Sequence, residues 1–185
     1  MSPALRTPRL LVRRFRPEDA ATLAAYRSVP EVARYQGWSA PVTDEEARRL
    51  VAEFAAGDPA APGWFQYAVE ERESGALVGD VGVRLDENRM QADLGFTLPP
   101  DAQGRGYATE AVRAVLGELF ARPGIRRVSA VCDVRNLASA RLLERVGFRR
   151  EGLRPAYTWL KGEWTDDLLY GLLADWWLTP TAPRT

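Results

Sequence analysis

A mixed α/β fold, with a central sheet of about seven strands flanked by helices, follows from three features of the sequence. Between residues 64 and 98, three alternating apolar and polar runs are separated by short polar turns, the pattern of consecutive antiparallel strands. Directly after them, a glycine-containing stretch leads into apolar residues spaced by three and four, the pattern of an amphipathic helix. Further on, strand and helix patterns alternate. A helix joining two strands implies parallel neighbours at that point of the sheet.

Each element has its own signal. Leu10 to Phe15 reads as a strand, and Arg16-Pro17-Glu18-Asp19 opens a helix through Tyr26, with Pro17 suited to its first turn. A short segment from Pro30 to Tyr35 follows. Thr43, with Glu46 three residues on, resembles a capping box for a helix through Phe54. Strands are expected at 64–70, 77–85 and 90–98, joined by turns at Glu73-Ser74-Gly75 and Asp86-Glu87-Asn88. The helix after the glycine stretch carries Ala108, Ala111, Val112, Val115, Leu116, Leu119 and Phe120 at three- and four-residue steps and stops at Arg122-Pro123-Gly124. Residues 127–134 read as a strand and 137–146 as a helix ended by Gly147. Two last strands, 152–160 and 167–173, flank Lys161-Gly162-Glu163. One domain over 1–178 is expected, with a frayed tail at 179–185.

Composition removes several classes of function. The chain has 185 residues, 46% of them hydrophobic and 27% charged, enough for a full core. Lys plus Arg equals Asp plus Glu at 25 each, so no basic excess exists to drive phosphate-backbone binding, and a nucleic-acid partner is not expected. Histidine is absent and Cys132 is the single cysteine. Cys/His zinc sites, Ser-His-Asp triads, Cys-His dyads and an internal disulfide are excluded, and no metal is expected. No apolar run approaches the roughly 18 to 20 residues of a membrane span. The start carries no secretory h-region, so a cytoplasmic protein is expected.

The stretch Gln103-Gly104-Arg105-Gly106-Tyr107-Ala108-Thr109 carries the chemistry. Two glycines let backbone approach a ligand closely, and unpaired amides at a helix start form an anion site. The alternative is a glycine-containing connection into an ordinary helix.

Gln103-Gly104-Arg105-Gly106-Tyr107-Ala108 matches the acetyl-CoA motif of the GNAT superfamily of acyl-CoA-dependent N-acyltransferases. Asn136-Leu137-Ala138-Ser139, with Gly147-Phe148, resembles the signature that follows it in that family. Thr7-Pro8-Arg9-Leu10-Leu11 and Gly162-Glu163-Trp164-Thr165-Asp166 resemble the ribosomal-protein (alanine/serine) N-acetyltransferase branch. The resemblance covers about residues 5 to 177, with the motifs in the family's order. It implies the GNAT fold and acetyl-CoA as co-substrate. The amides of Gly104, Arg105, Gly106, Tyr107, Ala108 and Thr109 would bind the pyrophosphate, and Gln103 would close the turn. Arg105 adds charge or is a solvated surface arginine. The backbone at Phe96, Thr97 and Leu98 would pair with the pantetheine arm. Asn136 and Ser139 would face the thioester, or serve only as an N-cap and a first-turn hydroxyl.

Acetyl transfer to an amine calls for a base, an acid and an oxyanion donor, the last a backbone N–H near Phe96 or Thr97. Many superfamily members carry an acidic tyrosine where this chain has Leu143, which leaves Ser139 as the local substitute. Asp93 is the first candidate base. Asp80 on the neighbouring strand would face the same cleft, with Glu70 and Asp166 as further carboxylates. Tyr157 is either an acceptor-pocket residue or acid, or a core aromatic. Cys132 reads as a small buried hydrophobe, so direct attack needs no acyl-enzyme. The resemblance implies that Trp38, in a loop the family places over the acceptor site, contacts substrate, while Trp176-Trp177 is a dimer anchor or core packing of a C-terminal helix. The acceptor is a protein N-terminus or a small amine such as an aminoglycoside, polyamine or amino-acid derivative. A silent acyl-CoA-binding module is the alternative to an enzyme, and the protein is a monomer or homodimer.

Overall fold

Eight strands form one sheet in the order β1-β2-β3-β4-β5-β6-β8-β7 in the computed structural model, which describes residues 4–179. β1 (Leu5–Arg6), β2 (Leu10–Arg13), β3 (Gly63–Glu71), β4 (Leu77–Leu85) and β5 (Gln91–Thr97) run as an antiparallel meander. The polar turns read from the sequence make these hairpins, because a short turn permits only antiparallel neighbours. β5 then pairs in parallel with β6 (Arg127–Asp133). β8 (Glu163–Leu173) pairs antiparallel with both β6 and β7 (Arg149–Leu160).

The sheet has one strand more than expected, the two-residue β1, too short for any periodicity to show. The last two strands also begin earlier than their apolar runs, at Arg149 and Glu163. Charged residues at both starts hide strand character that the pairing with β8 or β7 imposes. Of the tail expected at 179–185, residues 180–185 lie outside the described residues.

Helices cover both faces. On one face α4 (Tyr107–Ala121) and α5 (Leu137–Arg145) close the larger core, with Ala111, Val112, Val115 and Leu116 fully buried. On the other, α1 (Ala20–Arg27) and α3 (Asp44–Ala56) enclose a second core around Leu23, Tyr26, Ala47 and Val51. The short α2 (Pro30–Ala33) lies between them in sequence. Thr43 caps α3 by accepting from the Glu46 amide at 3.2 Å. The C-terminal α6 (Ala174–Leu178) packs Trp176 and Trp177 on the larger core, and Trp177 stacks on Phe120.

A buried ion network fixes the start of α1 to the sheet. Arg13 donates to both oxygens of Asp19, at 2.7 and 2.9 Å, and to Glu70 at 2.6 Å. The Glu70 carboxylate also accepts from Arg16 at 3.2 Å, so it is spent on structure.

Candidate active site

The parallel pair makes the site. β5 and β6 are paired only at Gln91, Ala92 and Asp93 with Arg127, Val128 and Ser129. Beyond these residues no ladder joins the strands, and the sheet opens into a cleft of about 560 Å³. On the other side β5 stays paired with β4 as far as Thr97, so the strand itself is held while one edge is released. Phe96, Thr97 and Leu98 line the opening.

The glycine stretch sits at its mouth. Gly104 (φ +72°) and Gly106 (φ +80°) occupy the left-handed region, where a side chain is strained. The first bond of α4 runs from the Glu110 amide to the Gly106 carbonyl at 3.1 Å. Amides at Tyr107, Ala108 and Thr109 precede it and have no carbonyl one turn back. Gln103 donates to the Leu98 carbonyl at 2.9 Å, tying the loop to the end of β5. Gln103, Gly104, Gly106, Tyr107, Ala108 and Thr109 all line the cleft.

Arg105 turns outward instead. Its guanidinium reaches Glu71 at 3.4 Å, and its carbonyl accepts from Arg9 at 2.8 Å. Tyr107, itself buried, donates its hydroxyl to the same Glu71. Behind the loop, Glu110 accepts from Thr7 Oγ1 (2.6 Å), the Arg9 amide (2.9 Å) and Arg9 Nε (2.8 Å). The Thr7-Pro8-Arg9 segment therefore braces the first turn of α4 from outside. In the sequence this segment stands out only by its resemblance to the branch signature, and its contact with Glu110 appears only in the fold.

α5 supplies the opposite wall. Asn136 caps it by accepting from the Ser139 amide at 3.1 Å, and both residues line the cleft. Arg141 and Arg145, one turn apart, line it too and bring positive charge near the glycine loop. Leu143, where the family resemblance implies a tyrosine, is 1% exposed and belongs to the core. From the other face of the sheet come Glu31, Tyr35 and Gln36. Gln36 donates to Thr97 Oγ1 at 3.4 Å, spanning the gap to β5.

The carboxylates nominated from sequence are placed elsewhere. Asp93 alternates with Leu94, so it points to the face opposite Phe96, where Arg84 holds it at 2.8 Å. Asp80 is fully buried between Tyr26, Gln66 and Arg27, and Tyr26 and Gln66 both donate to it. Burial pushes its carboxyl above the usual range, with Arg27 opposing. Asp166 accepts from the Ala156 amide at 2.7 Å and so fixes an irregularity in β7. Among cleft-lining residues, the single carboxylate is Glu31.

The aromatic candidates also stand outside the cleft lining. Tyr157 is 57% exposed under the Arg154 guanidinium. Trp38 packs on the second core beneath Arg27 and donates to its carbonyl at 3.1 Å. Cys132 is half-buried against the larger core, and burial pushes its thiol up to about 11. No group of three His, Cys, Asp or Glu side chains able to hold a metal occurs among the described residues. Nor is any helix among them long and apolar enough to cross a membrane.

A sheet parted beside a glycine-led helix start makes a cleft with an anion-binding end. The chain belongs to the GNAT acetyltransferases: the model of the acetyltransferase (GNAT) domain matches residues 9–149. It is similar to the uncharacterized N-acetyltransferase YoaA of Bacillus subtilis, 31% identical over 174 residues, 94% of this chain and 98% of that one. Among solved structures it resembles a GNAT acetyltransferase from Bacillus anthracis, with TM-score 0.83 and 26% identity over 94% of this chain and 99% of the other. A putative ribosomal-protein-serine acetyltransferase from Vibrio cholerae is similar as well, with TM-score 0.79 and 26% identity over 94% and 99% of the two chains. The protein is an acyl-CoA-dependent N-acetyltransferase.

Proposed function

We propose that the cleft binds acetyl-CoA along β5 and the glycine loop, and that the chain acetylates the amino terminus of a protein. The observation that carries this is the parting of β5 from β6 directly beside the loop at Gln103–Thr109. Backbone amides from Gly104 to Thr109 would hold the pyrophosphate, helped by the partial positive charge of the α4 start. Arg141 and Arg145 add full charges at the same end. The edge of β5 at Phe96 and Thr97, released from β6, together with the adjoining Leu98, offers backbone to the amide-bearing pantetheine.

Bound there, acetyl-CoA supplies an acetyl group activated as a thioester. The chain's part is to orient the amine beside it and to handle protons. A backbone N–H of Phe96 or Thr97 is the candidate oxyanion donor. Ser139, which lines the cleft on the α5 wall, is the candidate to return a proton to the departing sulfur. No cysteine lines the cleft, which supports direct attack without an acyl-enzyme.

The protein-terminus reading is supported by the similarity to the Vibrio cholerae protein named for ribosomal-protein-serine acetylation, over nearly the whole of both chains. Thiol release from acetyl-CoA is the test, with a synthetic hexapeptide bearing a free N-terminal serine. Release with the free peptide but not its N-acetylated form is expected. Release with spermidine alone would move the acceptor to small amines.

A further inference from the structure

Lys161 is the single lysine of the chain; the other basic side chains are all arginines. It stands exposed at the tip of the β7–β8 hairpin, in a two-residue turn with Gly162. Both residues take left-handed backbone, with φ +50° and +89°. Asparagine or glycine fills the first of these positions with less strain than lysine, so turn geometry does not account for the residue.

Its side chain ties two elements together. The Lys161 ammonium donates to the Ala33 carbonyl at the end of α2. The same carbonyl accepts from the Gln36 amide at 2.9 Å, and the Gln36 side chain reaches Thr97 of β5 at 3.4 Å. Arg135, anchored to Asp133 at 2.7 Å, holds the hairpin independently through Glu163 at 2.9 Å. Lys161 also lines a cavity of about 590 Å³, and Glu31 lines both this cavity and the β5–β6 cleft, so the two spaces adjoin. An arginine keeps its proton in a protein, whereas a lysine amine can lose one and then attack a thioester. The chain therefore carries one side-chain amine of that kind, and it lies beside the cleft.

We propose that Lys161 is a self-acetylation site: acetyl-CoA held in the cleft acylates its Nζ, and the acetylated side chain releases α2. This rests on the reading of the β5–β6 cleft as the acetyl-CoA site. The ammonium first gives a proton to water. The Nζ lone pair then forms the N–C bond to the thioester carbonyl, the C–S bond breaks, and the departing sulfur takes the second proton that Nζ sheds. The products are acetyl-lysine and the CoA thiol. Acetylation removes the charge and leaves one neutral N–H, so the tie to Ala33 weakens. Because Ala33 also receives the Gln36 amide, the loosening reaches a residue that lines the cleft.

The experiment incubates the full chain with acetyl-CoA and no added amine, and follows it by intact mass and peptide mapping. One acetyl group at Lys161 is expected, at a rate suppressed by excess CoA, which competes for the cleft; Lys161→Arg should stay unmodified. Hydrogen exchange at the Gln36 amide should quicken about tenfold in the acetylated chain, the loss of one charge-assisted hydrogen bond. An unmodified Lys161 in a chain that releases thiol with the serine hexapeptide would overturn the assignment and leave the cleft reading standing. Acetylation that excess CoA does not slow would be solution chemistry and would overturn it equally. Unchanged exchange at Gln36 after acetylation would overturn the release of α2. A chain that binds no CoA in calorimetry would overturn the cleft reading itself.

Discussion

Replacing Glu110 separates the brace behind the glycine loop from the loop itself. The Glu110 carboxylate is only 16% exposed and accepts from Thr7 Oγ1, the Arg9 amide and Arg9 Nε, with Arg9 Nη2 also at 2.7 Å. Arg9 is 48% exposed, so its ion pair contributes at most about 1 kcal/mol. The Thr7 and Arg9 amide bonds, charge-assisted and partly shielded, contribute more. A total of about 2 to 3 kcal/mol is expected for Glu110→Ala. For a chain of this length that lowers Tm by roughly 5 to 10 °C. Arg9 also donates to the Arg105 carbonyl, so the loop loosens when Arg9 loses its anchor, and CoA binding should weaken about tenfold.

The pH dependence of that loss has a defined sign. Burial alone would push the Glu110 carboxyl up, but hydrogen bonds from Thr7 and Arg9 outweigh it and hold the group below its usual range. A carboxylate held low in the folded state contributes fully above its unfolded pKa of about 4.3, and the contribution fades as pH falls through the folded value. The stability gap between wild type and Glu110→Gln should therefore be constant from about pH 6 to 8 and shrink below about pH 4. Thermal unfolding across pH, with calorimetric CoA titration, reads both effects. If Glu110→Ala melts with wild type and binds CoA equally well, the brace is not what holds the loop.

Other positions give sharper contrasts. Gly106→Ala forces a side chain to φ +80°, with its Cβ 3.3 Å from Arg9 Nη2; a loss of about 1 to 2 kcal/mol and weaker CoA binding are expected, by unfolding and calorimetry. Asp80→Asn leaves the buried Arg27 without its counter-charge, so denaturant unfolding should record a loss of about 3 to 5 kcal/mol, with KM for the acceptor unchanged in the folded protein. Asp93→Asn should leave kcat within about twofold, whereas Ser139→Ala should lower it by about ten- to a hundredfold. Equal effects of the two would remove the distinction between the α5 wall of the cleft and the face of β5 that carries Asp93.

What could be read from the sequence was what neighbouring residues decide among themselves. The turns between β3, β4 and β5 are encoded within a few residues, and so are the Asn136 cap and the two glycines ahead of α4. Asp93 looked suitable because its strand borders the cleft. Which face it occupies depends on register with Arg84 and Leu94, a property of the assembled sheet. Trp38 stood where a substrate contact would fit, yet its ring is consumed by Arg27. Glu31 gave no signal, because it meets Ser139 and Asn136 across the cleft only after the sheet has brought residues a hundred positions apart to one opening. Thr7 and Arg9 likewise acquire their role from Glu110, far along the chain.

A crystal structure with bound CoA tests the central claim most directly. The pyrophosphate should lie within hydrogen-bond distance of the amides between Gly104 and Thr109, and the pantetheine should run along Phe96, Thr97 and Leu98 toward Ser139. CoA bound elsewhere, or with its pyrophosphate away from the α4 start, would contradict the account.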